Sequence, residues 1–153
     1  MLKLTFYLVI GLVLLICLTF AAMSVLSRQQ TPPSLVDGKL SACPATPNCV
    51  CSEDPRADAH IEPLRFTQTP DAAWQTLKQI ITQSGGRIEV EQNGYLRAIY
   101  VSRIFRFIDD VEFRLDPANQ VIQVRSAARS GRSDLGVNRA RVEHLRALLR
   151  QTA

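Results

Sequence analysis

The 153 residues carry a formal charge of +4 and four cysteines, which leaves room for one domain with appendages. The positive excess gathers late, with six arginines between 129 and 150 against Asp134 and Glu143, whereas Glu53, Asp54, Asp58 and Glu62 cluster earlier. No aromatic-and-basic RNA-binding motif accompanies the basic end, so no nucleic-acid partner is expected. The plain expectation for that end is a solvated helix face, and the alternative is a surface for anionic lipid or another acidic partner.

Residues 4–26 are uncharged and mostly aliphatic or aromatic. As a helix this run is about 34 Å long, enough for a hydrocarbon core of about 30 Å. An uncleaved membrane anchor is expected. Cleavage competes with it, although Ala22-Met23-Ser24 is a weak small-x-small site, and lipidation is disfavoured because Ile16 precedes Cys17 where a small residue is wanted. Lys3 and the terminal amine favour an N-terminus inside, and Arg28 opposes them. The expectation is a single-pass protein whose soluble domain is extracytoplasmic, on the periplasmic side. The divisions are 1–27 for the anchor or signal segment, 28–42 for a linker partly extended by Pro32 and Pro33, and 43–153 for one α+β domain.

Cys43, Cys49 and Cys51 follow, with Pro44 and Pro47 between them. In an oxidising compartment Cys43 with Cys49 is the favoured disulfide, because one residue between Cys49 and Cys51 would strain most backbones. Cys51 is then odd. A zinc site from the three thiolates and His60 is the sharper alternative, but it lacks the usual C-x-x-C spacing, and neither a metal nor a cofactor is expected.

Residues 61–66 suit a short edge strand, where Pro63 is tolerated. Thr69-Pro70-Asp71 reads as N-cap, Pro at the first helical position and early acid, opening a helix over 70–84 that Gly85-Gly86 ends. Its buried stripe is Ala73, Trp74, Leu77, Ile80, Ile81 and Ser84, with Trp74 as a core anchor. Clean alternation over 87–92, the turn Asn93-Gly94 and a returning strand over 95–102 form a hairpin.

A second hairpin is predicted from Val111, Phe113 and Leu115 on one strand and Ile122 and Val124 on the next, around Asp116-Pro117-Ala118-Asn119. Closing the loop there sets Phe113 opposite Ile122, Val111 opposite Val124 and Asp110 opposite Arg125. After a small, basic connection, Asp134 is expected to cap a helix from about 135. Leu135, Val142, Leu145 and Leu149 form its apolar stripe, and Asn138 falls on it and needs a partner. The resulting class is α+β: an antiparallel sheet of four to five strands with two helices on one face, preceded by one transmembrane helix. The other face is either solvated or the wall of a cleft.

The runs FIDDVEFRL and VRSAARSGRSDLGVNRARVE, with CPATPNCVCS and IEPLRF upstream, resemble the bacterial and plastid family called domain of unknown function fourteen-ninety-nine, over roughly residues 43–149. The resemblance implies a shared fold and a recurrent polar cluster, and no activity. Where that family usually has V-S-S, this chain has Val50-Cys51-Ser52.

The candidate site is the polar set Asp109, Asp110, Glu112, Arg125, Arg129, Asp134 and Asn138. The leading reading is a membrane-anchored binding or scaffold module holding a small polar ligand, a lipid head group or a protein segment. One alternative is an envelope enzyme using paired carboxylates with arginines against negative charge. The other is a buried ion-pair network that only clamps the last helix to the sheet. An enzyme is the less favoured class, because no Ser, His or Cys stands in a recognisable nucleophile context. The expected site pairs Asp110 with Arg125 beside a pocket formed by the 129–134 loop and Asn138.

Overall fold

The computed structural model describes residues 2–30 and 34–152. In order the elements are α1 (Leu2–Gln29), β1 (Cys49–Cys51), β2 (Leu64–Arg65), α2 (Pro70–Gln83), β3 (Arg87–Gln92), β4 (Tyr95–Val101), β5 (Ile108–Asp116), β6 (Val121–Ala128) and α3 (Val137–Gln151). The strands make one antiparallel sheet in the order β1-β6-β5-β4-β3, and β2 shares the outer edge of β6 with β1. Among the described residues six strands therefore stand where four to five were expected. The additional one, β1, is three residues in a proline-punctuated run, too short to carry a readable period.

Local chemistry sets the ends of α2 as anticipated. Thr69 caps it through Oγ1, which accepts from the Ala72 N–H at 3.4 Å, Pro70 occupies the first turn, and Ser84 closes it. Gly86 is required by a close approach: a Cβ there would lie 2.7 Å from both Ile81 and the Tyr100 ring. Asn93 and Gly94 both have positive φ, 49° and 74°, as a tight two-residue hairpin turn demands. Trp74 is buried in the core, and its Nε1 donates to Glu91 Oε1 at 3.0 Å.

Helices α2 and α3 pack on one face of the sheet. Leu77, Ile80, Ile81, Val142, Leu145 and Leu149 meet Leu96, Ala98, Val111, Phe113, Ile122 and Val124. Each of the Leu, Ile, Val and Phe side chains among them contributes about 1.5 to 3 kcal/mol when fully buried. The stripe expected for α3 holds except at its start. The helix begins at Val137 behind Gly136, which sits at φ 81°, and Leu135 is 93% exposed.

The β5–β6 register differs by two residues from the one predicted. Phe113 faces Val124, Leu115 faces Ile122, and Glu112 faces Arg125. The loop spans 117–120 instead of 116–119, so Asp116 pairs with Val121, and Asp116 Oδ1 accepts from the Asn119 N–H at 3.3 Å. A two-residue shift keeps every side chain on its face, so alternation alone could not distinguish the two registers.

Most of the opposite face is covered, and it stays open only toward its far end, where Arg87 and Val101 are exposed. The chain between residues 35 and 59 lies over it, and Leu40, Cys43, Cys49, Cys51 and Ala59 pack around Tyr95 and Ala127. The end of the segment expected as linker is thus partly built into the domain, while Pro32 and Pro33 lie outside the described residues. Cys43 and Cys49 form the expected disulfide, Cys51 is a buried free thiol, and Cys17 is exposed on α1. Helix α1 is long and apolar enough to cross a membrane.

Asp54 secures this covering segment. Its carboxylate accepts from the Cys43 N–H at 2.7 Å, from the Arg56 N–H at 2.9 Å, and from the Arg56 guanidinium at 2.9 and 3.1 Å. The Arg56 side chain holds the Asp54 carboxyl well below the usual carboxylate range. A carboxyl lowered in the folded state adds stability above the unfolded pKa and loses it as pH falls through the folded value. Denaturant titrations below about pH 4 should therefore show the wild type losing stability more steeply than Asp54→Asn, the two curves converging in strong acid. Parallel curves would remove Asp54 from this role.

Candidate functional site

Alternation along β5 divides the polar set between the two faces of the sheet. Asp109 shares the helix-covered face with Val111 and Phe113, whereas Asp110, Glu112 and Arg114 turn to the face beneath the covering segment. The seven residues are therefore not one cluster.

Beneath the covering segment, Glu112 is fully buried. Its Oε2 accepts from Arg125 Nη1 at 2.7 Å and its Oε1 from the Tyr95 hydroxyl at 2.8 Å. Burial pushes the Glu112 carboxyl up, against the pull of Arg125 and of the Tyr95 hydrogen bond. The Tyr95 phenol is raised by its own burial and by the facing carboxylate. Asp110 takes the fork of Arg129, from Nε at 2.6 Å and Nη2 at 2.7 Å. That bidentate bond raises the Arg129 pKa. The expected Asp110–Arg125 pair is thus replaced by two pairs: the two-residue change of register sets Glu112 opposite Arg125 and moves Asp110 opposite Ala127, within reach of Arg129. Cys51 lies across from Arg125 in the β1–β6 ladder, and burial pushes its thiol up, away from the thiolate that a nucleophile needs.

On the helix face, Asn138 is the junction. Its Oδ1 accepts from Ser126 Oγ at 2.5 Å and Arg141 Nη1 at 2.6 Å, and its Nδ2 donates to the Asn48 carbonyl at 3.0 Å. Arg141 also donates to Asp109 Oδ2 at 2.7 Å and lies over the Tyr100 ring at 4.7 Å. Burial raises the Asp109 carboxyl, with Arg141 opposing it. Asp134 caps α3 from outside: Oδ1 accepts from the Gly136 N–H at 3.1 Å and Oδ2 from the Asn138 N–H at 2.7 Å. Every acid of the predicted set is therefore engaged by a guanidinium or by backbone N–H groups.

Sequence reading missed Asn48, Tyr95, Ser126 and Arg141. Arg141 stands three residues after Asn138, so helical spacing alone could have brought it to the same face. Ser126 continues the inward alternation after Ile122 and Val124. Asn48 left no such signal.

Two of the seven, Asp134 and Asn138, line an open-sided cavity of about 360 Å³. It lies between the 44–50 segment, Asp58 and Ala59, and the first turn of α3. Pro44, Pro47, Val50 and Ala140 give it apolar walls, with Asp58, Asp134 and Arg139 at its polar edge. Arg139 is held in place by donating to the Asp58 and His60 carbonyls at 3.1 and 2.9 Å. The alternative metal site is excluded in its expected form, because two of its three thiolates are joined as the disulfide. Among the described residues no three His, Cys, Asp or Glu side chains converge as metal ligands.

These features define an α+β domain behind an apolar N-terminal helix, with buried ion pairs on one face of its sheet and a half-buried one on the other. The chain belongs to the family described as Protein of unknown function (DUF1499), whose model matches residues 39–149. No curated protein and no solved structure matches it.

The Glu112–Arg125 pair can be tested by urea unfolding. Arg125→Ala leaves a buried carboxylate without its cation and should cost about 3 to 5 kcal/mol, whereas the triple variant Glu112→Leu/Arg125→Met/Tyr95→Phe, which removes all the polar partners together, should stay within about 1 kcal/mol of the wild type or exceed it. A cost for Arg125→Ala of the size typical of exposed pairs, below about 1 kcal/mol, would contradict the pairing.

Proposed function

We propose that this protein is a membrane-anchored, extracytoplasmic binding module, and that its ligand occupies the cavity at the start of α3. The observation that carries the reading is the cavity itself. Its volume, about 360 Å³, falls in the range of small-ligand sites, and its mixture of apolar wall and few polar groups is the usual composition of such sites. The Asp/Arg pairs do not line it, and its walls are held by the hydrogen bonds of Asn138 to Ser126 and to the Asn48 carbonyl.

The chemistry of the rim narrows the ligand. Asp134 already occupies the Gly136 and Asn138 N–H groups, so the positive end of α3 is answered from within the chain and an anion gains little there. Asp58 and Asp134 outnumber Arg139 on the rim and favour a cationic or amide-bearing group, carried on an apolar body that fits against Pro44, Pro47 and Val50. The disulfide favours an oxidising compartment, which together with α1 supports a domain tethered on the periplasmic side.

Thermal unfolding of the full chain in detergent, followed by circular dichroism, tests this with polyamines, lysine-ended peptides and quaternary ammonium compounds against carboxylates of matched size. The cationic compounds should raise the wild-type midpoint and leave Ala140→Trp, which fills the cavity mouth, unchanged. Stabilisation by the anions alone, or equal stabilisation of both proteins, would overturn the reading.

A further inference from the structure

The hairpin between β4 and β5 carries an unusual tip, Arg103-Ile104-Phe105-Arg106-Phe107. Ile104 is 83% exposed, although it belongs to a domain whose other large apolar side chains are mostly covered. The Phe105 ring stacks on Phe20 of α1 at 4.7 Å between centroids, and Phe107 meets the same ring edge-on at 6.2 Å. Ser24 and Ser27, one and two turns beyond Phe20, are buried on α1. The tip is therefore packed against the apolar helix and is not a free loop.

Helix geometry gives the depth of that contact. Sixteen residues separate Phe20 from Leu4, a rise of about 24 Å, against a hydrocarbon thickness of about 30 Å. If α1 spans with Leu4 at one boundary, Phe20 and the two aromatic rings covering it lie just below the other boundary. Arg28 lies about 12 Å further along the helix, at the level of the head groups. Arg28, Arg103 and Arg106 are all exposed, and none of them makes an ion pair among the described residues. A crevice of about 290 Å³ beside them has Arg28 and Arg106 at its edge and Ile99, Val101 and Ile108 along its wall.

We propose that the β4–β5 tip and this crevice form a second membrane contact, in which Ile104 enters the acyl boundary while Arg28, Arg103 and Arg106 bind the phosphates of anionic lipid head groups. The arrangement has the two parts that interfacial binding uses, buried apolar area and basic charge toward anionic lipid. A lone helix would leave the domain free to swing, and the second contact fixes which side of the sheet faces the bilayer. This inference rests on the membrane-spanning part of the proposed function and is independent of the cavity.

The test uses the full chain with Cys17→Ser, reconstituted in vesicles of phosphatidylcholine alone or mixed equally with phosphatidylglycerol. An environment-sensitive fluorophore is placed on Ile104→Cys, on Asn119→Cys in the β5–β6 turn, or on Leu14→Cys within α1, and quenching by lipids brominated along the acyl chain is read. The label at 104 should be quenched several-fold more than the label at 119. Its quenching should rise with phosphatidylglycerol and lose that rise in Arg103→Glu/Arg106→Glu. Quenching at 14 with none at 104 would overturn the second contact and leave the span intact. No quenching at 14 would overturn the span itself. Quenching at 104 that is indifferent to phosphatidylglycerol would overturn the lipid role of the arginines.

Discussion

The buried amide of Asn138 is the constraint on which the arrangement of this domain depends. A side-chain amide taken out of water must have its hydrogen bonds made within the protein. Asn138 makes them with three different parts of the chain: Ser126 on β6, Arg141 on its own helix, and the carbonyl of Asn48 just before β1. The Asn48 carbonyl also accepts from the Ala128 N–H at 3.0 Å, so the same oxygen joins the helix, the last long strand and the covering segment. Arg141 extends the junction to Asp109 on β5. The cavity at the start of α3 exists because this junction holds the helix and the 44–50 segment at a fixed separation.

The two faces of the sheet solve different problems. The helix-covered face is an ordinary apolar core with one polar seam at its end. The other face buries Asp110, Glu112 and Arg125 beneath a segment with little secondary structure. Charges so placed tolerate burial only when each has its counter-charge, and Arg125, whose Nε stays buried without a hydrogen-bond partner among the described residues, depends on Glu112 for it. The disulfide and the fourfold engagement of Asp54 keep that cover closed, at the end of the domain nearest in sequence to the apolar helix.

Much of the fold was legible because it follows local rules. Thr69-Pro70, Asn93-Gly94 and the strict alternation at 87–92 and 111–115 each name an element and one of its ends. Register was less legible, since Asp110 and Glu112 lie on the same face and either could answer Arg125 until the turn residues decide. The start of α3 was misread because Asp134 does cap it, but from two residues outside, with Gly136 in a left-handed conformation between them. Leu135 looked like the first stripe residue and is exposed as a result. Of the candidate site, Asn138 was legible as a polar residue on an apolar stripe. Its partner Asn48 lies ninety residues away, a separation no periodicity can encode.

Residue-resolved hydrogen exchange on Asn138→Ala tests the junction most directly. Protection should be lost at Ala128 and through the first turn of α3, while the β4–β5 ladder keeps wild-type protection, because sub-global opening follows the contacts that are removed. Unchanged protection at Ala128, or a uniform loss across the whole sheet, would contradict the claim that Asn138 holds the helix and the covering segment together.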